Sequence, residues 1–266
     1  MTKRIGAGDL IAVFAGTSEG REVCERLSEA DRRVRAFVAT EYGGELIGDL
    51  SGVEVRVGRL AADAMEKSLD GVAAVVDATH PYAAEASANI RAASRRVGVP
   101  CIRLLRPSSL GSEEDGGGVP DGVVAAIVPD AAAAASFLAD VEGDVLLTTG
   151  SKDLAVYAGD PALAKRCWPR VLPEGETLLR CRALGFPESQ VIGMQGPFGK
   201  DLNVALLRHC KARWLVTKDT GRAGGFPEKI EAAREAGARI VLIGRPDPDE
   251  QGLSVEKVLA LLGVAV

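Results

Sequence analysis

Short β-branched runs alternate with longer amphipathic stretches along almost the whole chain. Apolar runs at 10–14, 34–38, 53–57, 73–77 and 100–104, each bounded by turn residues, predict strands. Helical periodicity fills the gaps at 18–30, 61–69 and 83–97, and in the first of these Val23, Cys24, Leu27 and Ala30 share a face. The second half repeats the pattern. Strands are expected near 123–128, 144–149, 167–171, 189–193, 213–217 and 239–243, with helices near 130–140, 152–158, 174–184, 200–211, 226–236 and 254–262. Such alternation predicts an α/β protein with two doubly wound parallel sheets, each covered on both faces. The stretch Ser112-Glu-Glu-Asp-Gly-Gly-Gly118 combines glycines with like charges and reads as a flexible surface segment near a boundary. The expected domains are therefore 1–120 and 121–266, with a ligand cleft between them.

Composition narrows the class without choosing a function. A length of 266 residues exceeds the usual single domain, which supports the two-domain division. Aromatics make up 4% of the chain, so the core is expected to be built from Ala, Val and Leu. A net charge of −5 argues against a general nucleic-acid binder. No apolar run approaches the roughly 18 residues of a membrane span, and the first residues are too polar for a secretory signal. Five cysteines (Cys24, Cys101, Cys167, Cys181, Cys210) are dispersed, without a C-x-x-C pair. That usage fits reduced thiols in a cytoplasmic protein and predicts no metal site.

In open α/β sheets ligands gather at the carboxyl ends of the strands, so the residues after each strand carry the candidate chemistry. The first turn is Gly16-Thr17-Ser18-Glu19-Gly20-Arg21. It places free backbone N–H groups and a helix N-terminus at the sheet edge, Thr17 or Ser18 as the N-cap, and Arg21 as a cation. It lacks one glycine of the dinucleotide fingerprint and reads equally well as an ordinary capped turn. After the fourth strand comes Asp77-Ala-Thr79-His80-Pro81-Tyr82-Ala83, with Pro81 as first helical residue and His80 near the N-cap. His80 is one of two histidines and suits proton donation or carboxylate binding. Thr148-Thr149-Gly150-Ser151-Lys152-Asp153 forms either an anion-tolerant nest or a plain cap. Met194-Gln195-Gly196-Pro197-Phe198 is stiffened by its Gly-Pro step. Lys218 opens the glycine-rich Thr217-Lys-Asp219-Thr-Gly221-Arg-Ala-Gly-Gly-Phe226, where an ammonium suits a phosphate or carboxylate. His209 shares a helix face with Leu202 and Leu206 and reads as structural. Arg103 and Arg106 either line the cleft or are solvated. Neither a G-x-S-x-G elbow nor a P-loop is present.

Five of these segments, Gly16–Arg21, Asp77–Ala83, Thr149–Lys152, Met194–Phe198 and Thr217–Gly221, with Glu228 and Lys229 beyond, resemble the precorrin-6A reductase family of cobalamin biosynthesis in order and spacing. The resemblance covers about residues 10–245. It implies a two-domain Rossmann-like oxidoreductase that uses NAD(P)H to reduce one double bond of precorrin-6A, or its cobalt-containing form, to the 6B product. On that basis Gly16, Thr17, Ser18, Arg21, Thr149, Gly150 and Ser151 are assigned to the cofactor. Thr79, Gln195, Gly196, Lys218, Asp219 and Gly221 are assigned to the substrate, and His80, Tyr82 and Lys218 to catalysis. The proton comes from His80, Tyr82 or water. Glu41, after the second strand, suits a ribose hydroxyl and NADH; Arg21 suits a 2′-phosphate, and the balance tips to NADPH. The competing readings are a non-catalytic protein binding an acidic tetrapyrrole-like ligand, and another NAD(P)-dependent enzyme. A short-chain reductase is disfavoured because Tyr42, Tyr82 and Tyr157 all lack a lysine four residues on.

Overall fold

Burial on both faces of the first strand explains its unbroken apolar character. In the computed structural model, which describes residues 5, 6, 8–105, 122–196, 198–221, 224–247 and 250–265, β1 is Leu10–Phe14. Ile11 and Val13 point into one core with Val23, Cys24 and Leu27; Ala12 and Phe14 point into another with Phe37, Met65 and Ile90. Two-residue alternation thus serves two helix layers at once. Around β1 the first sheet adds β2 (Arg33–Val38), β3 (Val53–Val57), β4 (Val72–Asp77) and β5 (Cys101–Arg103) in the parallel order β3-β2-β1-β4-β5. Helices α1 (Ser18–Glu29), α2 (Glu41–Ile47), α3 (Ala62–Ser68) and α4 (Ala84–Val97) provide the crossovers. Helix α2 escapes the sequence pattern because Gly43 and Gly44 depress helix propensity. Thr40 nucleates it by accepting from Gly43 N at 3.1 Å, and a Cβ on Gly44 would lie 3.0 Å from Val57.

The second sheet has the parallel order β6-β11-β10-β7-β8-β9, built from β6 (Val124–Val128), β7 (Asp144–Leu147), β8 (Cys167–Val171), β9 (Ile192–Gly193), β10 (Ala212–Lys218) and β11 (Arg239–Ile243). Its helices are α5 (Ala131–Ala139), α6 (Leu154–Ala158), α7 (Pro161–Ala164), α8 (Gly175–Ala183), α9 (Lys200–His209) and α10 (Phe226–Ala236). β9 is shorter than its sequence suggests because Glu188–Gln190 close a turn of 3-10 helix. Helix α7 was absent from the pattern; Asp160 caps it by accepting from Ala162 N at 2.8 Å, with Pro161 opening the helix.

The chain divides into one unit of Met1–Arg106 with Asp249–Val266, and a second of Pro107–Pro248. The C-terminal segment, expected in the second domain, builds the first unit instead. Helix α11 (Val255–Leu261) places Val255, Val258 and Leu259, followed by Leu262, in the core of β1 and α1. Ahead of it Leu253 forms a parallel bridge with Leu104, just past β5, so a rudimentary sixth strand closes the first sheet. The glycine-rich segment Ser112–Gly118, Arg106 and Pro197 lie outside the described residues.

Candidate functional site

In each sheet one point exists where consecutive crossovers leave in opposite directions, and the strand ends there diverge. In the first sheet it lies between β1 and β4, and it carries two of the sequence-predicted loops. Thr17 is the N-cap of α1: its Oγ1 accepts from Gly20 N at 3.2 Å and donates to Ala78 O at 3.1 Å. Gly16 N donates to Ala78 O at 3.2 Å, so the turn after β1 is tied to the turn after β4. A Cβ on Gly16 would sit 3.1 Å from Thr79 Cα, and one on Gly20 2.8 Å from Ala78 Cβ. Gly20 therefore fills the close-packing role of a fingerprint glycine, and the backbone at Gly16 stays bare and exposed. Ser18 is exposed and its hydroxyl donates to Glu19 at 3.2 Å. Arg21 pairs with Glu25 one helical turn on, at 3.2 Å.

The turn after β4 is held from below by a buried polar network. Asp77 is fully buried; its Oδ1 accepts from Thr79 Oγ1 at 2.6 Å and from Thr79 N at 3.1 Å, and its Oδ2 accepts from Ser87. His80 and Tyr82 are half-buried, with ring centroids 5.5 Å apart, and Tyr82 N donates to His80 Nδ1 at 3.3 Å. An accepting Nδ1 leaves Nε2 to carry the proton of the neutral ring. His80 is not the expected N-cap. Ala83 N bonds His80 O at 2.8 Å and closes a turn first, so α4 begins at Ala84 with no side-chain cap. Thr17, Glu19, Thr79, Pro81, Leu104 and Leu105 line a small crevice at this edge.

In the second sheet the reversal lies between β7 and β10, again under two predicted loops. Their pairing brings Lys218, at the end of β10, to the loop after β7. Lys218 Nζ donates to Thr149 O at 3.3 Å and pairs with Asp153 at 3.0 Å. Gly150 turns that loop with a φ of +82°, a left-handed conformation suited to glycine, and Ser151 is half-buried. Thr149 is buried. Asp219 is fully buried; its Oδ1 accepts from Gly221 N at 3.3 Å and its Oδ2 pairs with Arg245 at 3.3 Å, so it shapes the loop from inside. Gly221 closes the loop by accepting from Gly224 N and Phe226 N. Gln195 is exposed, and a Cβ on Gly196 would meet the Phe198 ring at 3.2 Å.

Behind these loops lie Arg170 and Asn203, which the sequence reading missed, and Lys229 and Arg103, which it named without settling their roles. Arg170, at the end of β8, is 8% exposed, lies 4.5 Å over the Phe198 ring and donates to Asn203 at 2.8 Å. Asn203 passes the constraint on by donating to Phe198 O and Gly199 O. Lys229, also 8% exposed, donates to Gly224 O at 3.2 Å. Burial lowers the Lys229 ammonium to about 8, and the Arg170 charge adds to the effect. Burial likewise lowers Arg170 to about 10. Arg103 is not a solvated charge but the hub of the network under Thr79. His209 lies on the exposed side of α9, edge-on to Trp168 at 5.7 Å; Asn203, Val204 and Leu207 form the buried side.

Among the described residues no group of three or more His, Cys, Asp or Glu side chains is placed to hold a metal, and no helix is long and apolar enough to cross a membrane. A sequence model of the family described as "Precorrin-6x reductase CbiJ/CobK" matches residues 10–263. The chain is 37% identical over 243 residues to a cobalt-precorrin-6A reductase of Salmonella typhimurium, covering 91% of this chain and 89% of the relative. It is 34% identical over 241 residues to the cobalt-precorrin-6A reductase of Priestia megaterium, covering 89% and 91%. A solved structure described as "CobK precorrin-6A reductase" matches with a TM-score of 0.72 at 25% identity, covering 97% of this chain and 98% of that one.

Proposed function

The chain belongs to the precorrin-6x reductase family, and from that premise we propose how its loops divide the work. It is an oxidoreductase that reduces the corrinoid macrocycle at the 6A stage, with a nicotinamide cofactor as the reductant. The observation that carries the division is the bare Gly16 turn at the N-terminus of α1, packed through Gly20 and beside Thr79–His80. These residues fit a dinucleotide: N–H groups and a helix N-terminus face outward where no side chain intervenes. Thr17 and Ser18 would hold the cofactor through backbone N–H groups, Gly16, its own N–H bonded to Ala78 O, would let it approach closely, and Arg21 lies beside them. Thr149, Gly150 and Ser151 present a second turn for an anionic group. When bound, the cofactor supplies a hydride.

The substrate takes the groups that carry charge and protons. Lys218, Gln195 and Gly196 receive the macrocycle's carboxylates through an ammonium, an amide and a backbone N–H, while Gly221, its own N–H held by Asp219, gives the loop its turn. Asp219 sets the shape of that loop from within. His80 supplies the proton that accompanies reduction, Nε2 being the donor; Tyr82 orients its ring, and Thr79 anchors the turn. The cofactor is NADPH. Ala39 stands where an acidic residue would follow β2, Thr40 is occupied as the cap of α2, and Gly58 N on Val38 O brings the exposed Arg59 to the same edge. The substrate is the cobalt-containing form, as in the names of the two relatives described above. The five unpaired cysteines support a cytoplasmic setting.

The test is anaerobic incubation with precorrin-6A and cobalt-precorrin-6A, each with NADPH and NADH, following cofactor oxidation. Faster turnover with NADPH and the cobalt form is expected. Ligand binding without cofactor oxidation under every combination would overturn the reading.

A further inference from the structure

The chain re-enters the first unit through a segment that does more than lead into α11. Leu253 N donates to Arg103 O at 2.9 Å and Leu105 N to Leu253 O at 3.1 Å, so the returning backbone is laced to the end of β5. Gly252 makes this approach possible, because a Cβ there would lie 2.9 Å from Leu105 N. The lacing delivers Glu250 to the Arg103 guanidinium: Nε reaches Glu250 Oε1 at 3.0 Å and Nη2 reaches Oε2 at 3.3 Å. Two parallel charge-assisted bonds fix the plane of the guanidinium as well as its position.

With that plane fixed, Nη1 has no freedom. It lies within 3.2 Å of Asp77 O, 3.1 Å of Asp77 Oδ1, 2.9 Å of Thr79 O and 3.2 Å of Thr79 Oγ1. The Arg103 side chain is 9% exposed, Asp77 0% and Glu250 13%, so the array is shielded from competing water. Arg91 reaches Glu250 Oε1 at 3.3 Å from the outer side. Among the described residues, the hydrogen bonds of Nη1 go to the two residues that set where His80 begins.

We propose that Glu250 is a positioning residue for the reduction: by fixing the Arg103 fork it holds the Asp77–Thr79 turn, and with it His80, beside the Gly16 turn. The inference rests on the role given to His80 above. Glu250→Gln keeps the shape but replaces one acceptor oxygen by an NH2 group that opposes the guanidinium. It should lower kcat by roughly tenfold to a hundredfold, the effect of a reacting group displaced by about 1 Å, while leaving the KM for the nicotinamide cofactor unchanged. Arg103→Lys, which keeps the charge and loses the fork, should move kcat in the same direction. The deciding measurement is a cycle with His80→Ala. If Glu250 acts through His80, Glu250→Gln should add almost nothing in the His80→Ala background. A fall in kcat that multiplies fully with the His80 effect, or a wild-type kcat in both Glu250→Gln and Arg103→Lys, overturns the positioning role alone. A wild-type kcat in His80→Ala overturns the role of His80 and this inference together.

Discussion

Lys229 offers a substitution that should strengthen the fold and weaken the enzyme. Its ammonium is 8% exposed, sits near the Arg170 charge, and is lowered from 10.5 to about 8, chiefly by burial. At about 1.4 kcal/mol for each tenfold change in proton affinity, the folded protein carries about 3 kcal/mol of strain for the charged form below pH 8. Lys229→Met removes that charge and retains an unbranched apolar stem. The bond to Gly224 O is lost, at about 1 kcal/mol, but Thr220 Oγ1 still donates to that carbonyl at 3.0 Å, so no acceptor is left bare. The net expectation at pH 7 is a gain of about 2 kcal/mol, or a rise in Tm of roughly 5 °C. Between pH 8 and 10.5 the unfolded wild type binds more protons at this site than the folded protein, so this site's contribution to wild-type stability rises with pH there. The variant lacks that rise, so its advantage should shrink above pH 8, vanish before pH 10.5 and leave it about 1 kcal/mol less stable there. Buried thiols contribute the opposite slope, with Cys24 and Cys167 pushed up to about 12, but they are common to both proteins and cancel in the difference. Freed from its brace, the loop after β10 should hold substrate less well, raising KM. Urea unfolding across pH, paired with steady-state kinetics, measures both. A variant that is less stable at pH 7, or whose stability difference from wild type does not change with pH, would refute the reasoning.

Gly20→Ala places a methyl 2.8 Å from Ala78 Cβ and 2.9 Å from Ala15 Cα, and should cost about 1–3 kcal/mol in thermal unfolding. Lys218→Ala should raise the KM for substrate and Arg21→Ala the KM for cofactor; unchanged kinetics in both would sink the loop assignments. Cys24 and Cys167, raised by burial to about 12, should resist alkylation at pH 8 in the folded protein and react once it is unfolded, as mass spectrometry of the labelled peptides can show.

What the sequence made legible were features whose signal is local. Continuous apolar runs mark strands covered on both faces; glycine with hydroxyl residues marks the turns after β1, β7 and β10, and Thr79-His80-Pro81-Tyr82 marks the turn after β4. Those turns are the ones at the two points where crossovers reverse. What stayed hidden depends on residues far apart in the chain. Nothing near Lys218 announces that Asp153 will pair with it, and nothing near Asp219 announces Arg245. Whether Arg103 lined a cleft or was solvated stayed open in the sequence because its partners, Asp77 and Glu250, lie on opposite sides of it along the chain. The place of α11 was hidden for a related reason: a periodic pattern says that a helix forms, not which sheet it covers. His209 misled because Leu202, which shares its face, is 40% exposed and belongs to the outer side of α9.

That the first unit is completed by Val255, Val258, Leu259 and Leu262 has a consequence for how the protein comes into being. Synthesis runs from the N-terminus, and domains close as their residues become available. The unit whose sequence begins first must wait with β1 and α1 only half-covered, while the continuous unit between its two pieces finishes. Until then the apolar side of β1 and α1 that α11 covers stays open to solvent. A polypeptide released before residue 255 would fail at its beginning rather than at its end.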